Sequence, residues 1–239
     1  MNLDKLIELF NELEEAVWSK RIKPIKASTL ADYYWCSRRS YLKFILENTP
    51  EEIEDKIGLD FSELVVGNLK AIKEGLEIHG VSYGFHVDIM EEPPKELAII
   101  KALAGEVIPR NLKSGFGVFQ VQGAIDEIEV NDDGCIIREI KTTSRSHVSK
   151  HSLAPAKFQV RIYGWLITHY MPVKRLELIF VNRPSRNTVH KEVLEFNESD
   201  VESEIIRVIS DYKHKALQKP VTWKCSSCGL RVLCERVFK

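Results

Sequence analysis

The sequence lacks any apolar run long enough to cross a bilayer, for which a helix needs about 20 residues. No internal repeat or low-complexity segment stands out. Neither charge is in excess: 34 Lys and Arg stand against 35 Asp and Glu, a formal net charge of −1. Overall charge therefore gives no affinity for nucleic acid, and any such affinity has to come from local patches. The N-terminal MNLDKLIELF is acidic and amphipathic, unlike a secretory signal, so the expected location is the cytoplasm. In that reducing compartment five cysteines argue against a disulfide framework. One absence is local. Between Ile140 and Leu176 there is no Asp or Glu, while Lys141, Arg145, Lys150, Lys157, Arg161, Lys174 and Arg175 fall in that window. Such a basic stretch suits phosphate contacts.

What is present is a globular composition, 44% apolar and 29% charged over 239 residues, enough for one large domain or two small ones. Apolar residues recur at helical spacing over 2–19 (Leu3, Phe10, Leu13, Val17), and a basic linker follows at 20–26. Thr29-x-x-Asp32 reads as a capping box for a second helix to about residue 46, which carries Cys36, Arg38 and Arg39. Residues 50–60 are acidic and expected to be exposed. A third helix over 61–79 ends at His79-Gly80, with His79 on its inward face three residues after Leu76. A strand over 81–90, a short helix over 95–104 and a strand over 105–112 follow.

The most informative stretch is 118–143, which reads as a β-hairpin around Asn131-Asp132-Asp133-Gly134. Strand side chains alternate faces, so Glu139 and Lys141 share one face and Ile140 takes the other. Pairing of Val130 with Cys135 places Asp126 opposite Glu139, and a tight Asp133-Gly134 loop places it opposite Lys141. Both registers gather all three groups on one face. Ile125, Ile128, Ile136, Ile137 and Ile140 predict that both faces of the hairpin are substantially buried. Two carboxylates facing each other repel, and a divalent cation would turn that repulsion into a site. Beyond the hairpin a helix is expected over 155–170, opening near Pro155, with Gln159 and Tyr163 four apart on one face. Strands over 176–183 and 188–195, a helix over 198–217 and a basic tail complete the chain.

Cys225, Cys228 and Cys234 have the spacing C-x2-C-x5-C, a strong sign of a metal centre. Structural zinc sites more often take their ligands as two separated pairs. Here three ligands cluster and the fourth is missing locally. Cys135 begins a strand and suits a small buried residue, so Cys36 is the better fourth ligand. Four thiolates suit a [4Fe–4S] cluster. His214 as fourth ligand, a [2Fe–2S] cluster and zinc are the alternatives.

The order Cys36, Gly75-x-x-x-His79, Asp126, Glu139-x-Lys141, Gln159-x-x-x-Tyr163, Cys225-x2-Cys228-x5-Cys234 resembles the RecB-like branch of the PD-(D/E)XK nucleases. More narrowly it resembles the CRISPR-associated iron–sulfur exonucleases, the fourth core Cas family. The resemblance implies an α/β, restriction-endonuclease-like fold with a mixed central β-sheet flanked by helices. It implies a single nuclease domain over 1–239, with the cluster region formed by about 28–46 and 220–239. Asp126, Glu139, Lys141, Gln159 and Tyr163 would be catalytic. His79, Asp126, Glu139 and the Ile140 carbonyl would hold Mg2+ or Mn2+. Cys36, Cys225, Cys228 and Cys234 would hold [4Fe–4S], and Arg145, Lys150, Lys157 and Arg161 would contact DNA. The implied activity is exonuclease cleavage of DNA, mainly single-stranded, to trim CRISPR spacer precursors. The implied partners are CRISPR integrase proteins and further copies of the chain, with no membrane. A repair or viral replication nuclease, and a non-catalytic DNA-binding subunit of an integration complex, are the competing functions.

Overall fold

The described strands hydrogen-bond into two mixed sheets, and the break between them falls inside the stretch expected to be one hairpin. The structure is a computed structural model describing residues 3–48, 87–218, 222–226 and 228–238. The expected helix over 61–79, with His79, lies outside the described residues, as do the acidic 50–60 segment and positions 81–86 of the expected strand. Residues 87–90 are not a strand; Gln120 and Gln122 side chains fasten the Asp88 and Met90 backbone instead.

The first sheet has the order β1 (Ile22–Lys26), β3 (Gly117–Ala124), β2 (Val107–Ser114). β1 runs parallel to β3 and β2 antiparallel to it. Residues 20–26 are therefore not a linker. Lys23, Pro24 and Ile25 are buried, and Pro24 is tolerated because, among the described residues, β1 pairs with a strand on one side only, its Pro24 carbonyl accepting from the Asn48 side chain.

The second sheet has the order β4 (Glu127–Asn131), β5 (Gly134–Thr143), β6 (Val173–Asn182), β7 (Thr188–Leu194). Its inner face is apolar: Cys135, Ile137, Leu176 and Leu178 have no exposed surface. Its outer face is a charged ladder, in which Arg138 pairs with Glu127, Glu129 and Glu177, and Glu177 also pairs with Arg175 and Lys191. The expectation that both hairpin faces are buried is thus corrected: Ile136 is half-buried and Ile140 exposed.

The helices are α1 (Leu3–Ser19), α2 (Ala27–Asp32), α3 (Ser37–Glu47), α4 (Lys95–Leu103), α5 (Lys150–Thr168), α6 (Glu198–Lys213), α7 (Thr222–Cys225) and α8 (Arg231–Val237). The expected single helix over 29–46 is two helices. A turn at Tyr33–Trp35 separates them, and extended Cys36 caps α3. Thr29 caps nothing: it is buried within α2 and donates its hydroxyl to Glu47. α5 starts five residues before Pro155, because Ser149 supplies the cap by accepting from the Ser152 amide. Pro155 then removes one amide donor from the opening turns. Fully buried Trp165 and Leu166 tie α5 to the first sheet, Trp165 under Arg110 of β2 and Leu166 against Gly123 of β3, each contributing about 1.5–3 kcal/mol by burial. None of the helices among the described residues is long and apolar enough to cross a membrane.

The β4–β5 turn depends on Gly134, whose φ of +140° is a conformation that residues with a Cβ rarely adopt. A Cβ there would collide with the Pro172 carbonyl oxygen, which accepts from the neighbouring Cys135 amide at 2.9 Å. Gly134→Ala is expected to lower stability by about 3 kcal/mol, read as a shifted denaturant midpoint. An unchanged midpoint would contradict this turn.

Candidate active site

Glu139 is completely buried on the inner face of β5, two residues beyond Ile137 and under α5. Alternation along the strand put it there with Lys141, as expected. Among the described residues, neither of its carboxylate oxygens has an aligned hydrogen-bond donor. The Lys141 ammonium makes ion-pair contact with Oε1. Burial pushes the Glu139 carboxyl up to about 7, Lys141 pulls it down and Asp126 pushes it up further.

The hairpin adopts the first of the two registers, with Val130 paired to Cys135 and Glu127 to Arg138. Asp126 is the next position outward, beside Glu139, but it lies in a bend and not in a strand. There the chain leaves β3, which is already paired on both sides, and enters β4. The Asp126 carboxylate compensates for the interrupted ladder: Oδ2 accepts from the Ile140 amide at 2.9 Å. One carboxylate is thereby tied to the backbone next to the other. Ile140, between Glu139 and Lys141, points to the outer face.

The helix expected to serve the site does face it. Gln159 Nε2 donates to the Tyr163 hydroxyl at 2.7 Å. Burial raises the pKa of that hydroxyl, and Glu139 and Asp126 add to the rise. Tyr163 fits because position 123 is glycine: a Cβ there would come within 2.7 Å of Tyr163 Cε1.

Lys141 and Gln159 open onto a cleft of about 680 Å3 between α2, α3, the end of β5 and the start of α5. Lys26, Arg39, Lys43, Lys141 and Arg145 line it, with Asp32 and Glu47 as the acids. Asp32 pairs with Lys43 and Arg39, and Glu47 with Lys26. Of the four residues expected to contact DNA, only Arg145 lines this cleft. Lys150 is exposed at the start of α5, Lys157 is paired with Glu192 at 2.6 Å, and half-buried Arg161 lies outside the lining. Sequence reasoning missed the α2–α3 wall and two tryptophans on it, Trp35 and Trp223. Ser149 before a helix was a readable cap signal, whereas nothing local places residue 35 near residue 223.

The structure brings Cys36, Cys225, Cys228 and Cys234 around one cavity of about 260 Å3, and none of the four is in a disulfide. Arg38, Arg39, Lys224, Arg231 and Glu235 also line it. Burial raises the Cys228 thiol and pushes that of Cys234 up to about 11, with neighbouring cysteines adding to both. Arg38 Nε is buried with no acceptor among the described residues. His214 is elsewhere, exposed and against the Phe116 ring, so it is not the fourth member. Cys135 is fully buried, and burial pushes its thiol up to about 11, as suits a packing residue. Among the described residues, no three His, Cys, Asp or Glu side chains are gathered so as to hold one metal ion.

No curated protein matches the chain. Its fold is similar to that in the crystal structure of SSO0001, at 20% sequence identity and a TM-score of 0.53, covering 100% of this chain and 98% of that one. That likeness concerns the fold. The profile of the PD-(D/E)XK nuclease superfamily matches residues 5–235, and the chain belongs to that superfamily.

Proposed function

We propose that the chain is a metal-dependent deoxyribonuclease that trims single-stranded DNA from an end and carries a four-cysteine [4Fe–4S] cluster. The observation that carries the catalytic half is Glu139: a fully buried carboxylate in ion-pair contact with Lys141 and beside the second carboxylate of Asp126. Two neighbouring carboxylates, one of them buried, are costly, and a cation is the partner that this donor set fits. Superfamily members are typically nucleases that use Mg2+ or Mn2+. Asp126 and Glu139 would hold the ion, and the resemblance adds the Ile140 carbonyl and His79. When bound, it supplies Lewis acidity to a phosphoryl oxygen and to the attacking water.

The chain's own groups do the rest. Lys141 puts an ammonium where the site meets the cleft and offsets charge on the scissile phosphate. Asp126, tied to the Ile140 amide, is held in place without using both oxygens. Gln159 and Tyr163 brace each other against the covered side of Glu139, so they orient the site. Arg145 is the phosphate contact in the cleft. The narrower placement among CRISPR-associated iron–sulfur exonucleases, trimming spacer precursors, rests on the motif order.

Two properties of the cysteine cavity support a cluster. It has four thiols around one void and, among the described residues, a buried Arg38 N–H without an acceptor that could donate to sulfur. The surrounding cations suit a thiolate-held anionic centre.

With end-labelled single strands and Mn2+, the protein is expected to release nucleotides progressively. Glu139→Gln or Lys141→Ala should slow this about a hundredfold or more. Cleavage persisting in both variants would refute the assignment. Anaerobically purified protein should absorb near ~400 nm, and Cys234→Ser should lose that band; a colourless protein with one zinc would contradict the cluster. The raised carboxyl of Glu139 also has a stability consequence. The folded state holds its proton up to about pH 7 while the unfolded chain releases it near the ordinary carboxyl value of 4.5. Metal-free stability therefore falls as pH rises between those values. At pH 8 without metal, Glu139→Gln is expected to be more stable than wild type by about 2 kcal/mol, with the gain fading toward pH 4. A gain independent of pH would contradict the cause.

A further inference from the structure

Trp223 is 54% exposed, unusual for the largest apolar side chain. It lines the same cleft as Lys141, Gln159 and Arg145. Its mount is firm. Next to it Lys224 is buried, with its ammonium donating to the Trp35 carbonyl at 2.5 Å. Two residues on, Cys225 lines the cysteine cavity. On the cleft side the His151 ring meets Trp223 edge to face, with centroids 5.4 Å apart. The other cleft tryptophan, Trp35, is already engaged by cations: Arg39 at 4.9 Å and Lys224 at 5.3 Å from its ring centre. The Lys224 ammonium also lies over the Trp223 ring, 5.8 Å from its centre, yet more than half of this indole stays exposed, among the cleft's cations and beside a candidate hydrolytic site. An exposed π-face next to a basic groove is what an unpaired base stacks on.

We propose that Trp223, flanked by His151, is a stacking platform for an unpaired nucleobase of the DNA strand in the cleft. This rests on the nuclease reading for the identity of the strand, and it explains how the cleft favours single-stranded DNA. In a duplex, bases are stacked on one another and offer no free face to a side wall. Trp223 gives the single strand a contact that phosphate binding alone cannot supply. The platform is a binding element and takes no part in bond breaking.

The test measures binding without divalent cation, so that nothing is cleaved. Fluorescence anisotropy is read for a labelled oligothymidylate and for an abasic deoxyribose-phosphate strand of the same length. Wild-type protein is expected to favour the base-bearing strand. Trp223→Ala should lose about five- to 100-fold in affinity for it and little for the abasic strand. Trp223→Phe should retain most of the preference, and circular dichroism of both variants separates lost stacking from lost fold. If wild type binds both strands equally, or Trp223→Ala keeps the wild-type preference, the platform does not exist. Cleavage by wild type with Mn2+ is read separately. Base-dependent binding without cleavage removes the hydrolytic reading and leaves the platform; cleavage without base dependence does the reverse.

Discussion

The structure turns on a carboxylate that the fold buries completely, with the Lys141 ammonium against it. Glu139 follows Cys135 and Ile137 on the inner face of its strand, where an apolar residue would be the stable choice. Burying an ionised carboxylate costs several kcal/mol, so the group holds its proton to higher pH and leans on Lys141. The neighbouring elements then serve the same position. The hairpin register brings Asp126 alongside, and the Ile140 amide fixes that second carboxylate. Tyr163, admitted by the missing side chain at Gly123, closes the top. On the proposed reading, such a site gives up metal-free stability in order to stay ready for a cation.

The second constraint is the junction of the chain's ends. Cys36 caps α3 and faces three cysteines from the last 15 residues of the chain. Apolar contacts already join these regions: Phe238 packs its ring against Tyr41, and Leu233 is buried. A shared cluster would add a covalent closure spanning most of the chain, which restricts the unfolded ensemble more than the folded one. The same junction builds one wall of the cleft, since Trp35 precedes Cys36 and Trp223 lies two residues before Cys225. Binding surface and cysteine site are therefore mechanically continuous.

Much of this was readable in the sequence, because it follows from short-range periodicity. Alternation placed Glu139 and Lys141 on one face, and helical spacing placed Gln159 beside Tyr163. The clustered cysteines stood out by their spacing, and in the structure they line one cavity with Cys36. What escaped was set by distant pairing. Ile22–Lys26 reads as a charged linker until β3 is there to pair with it. The stretch 117–131 looks continuous, because hydrophobic alternation runs through the bend at Asp126; only β3's occupied edges force the break. The split of 29–46 into two helices was hidden because Tyr33–Trp35 have no strong helix breaker. Lys157 looked free for phosphate because its partner, Glu192, comes 35 residues later.

The central claim is that Asp126 and Glu139 together form a divalent-cation site. Electron paramagnetic resonance of free Mn2+ titrated with protein tests it without relying on DNA or turnover. Wild-type protein should deplete the free-ion signal at neutral to mildly alkaline pH. Glu139→Gln and Asp126→Asn, both near-isosteric, should each fail to do so at the same concentration. Uptake of Mn2+ by both variants as strong as by wild type would place the cation elsewhere and leave the buried carboxylate without a purpose.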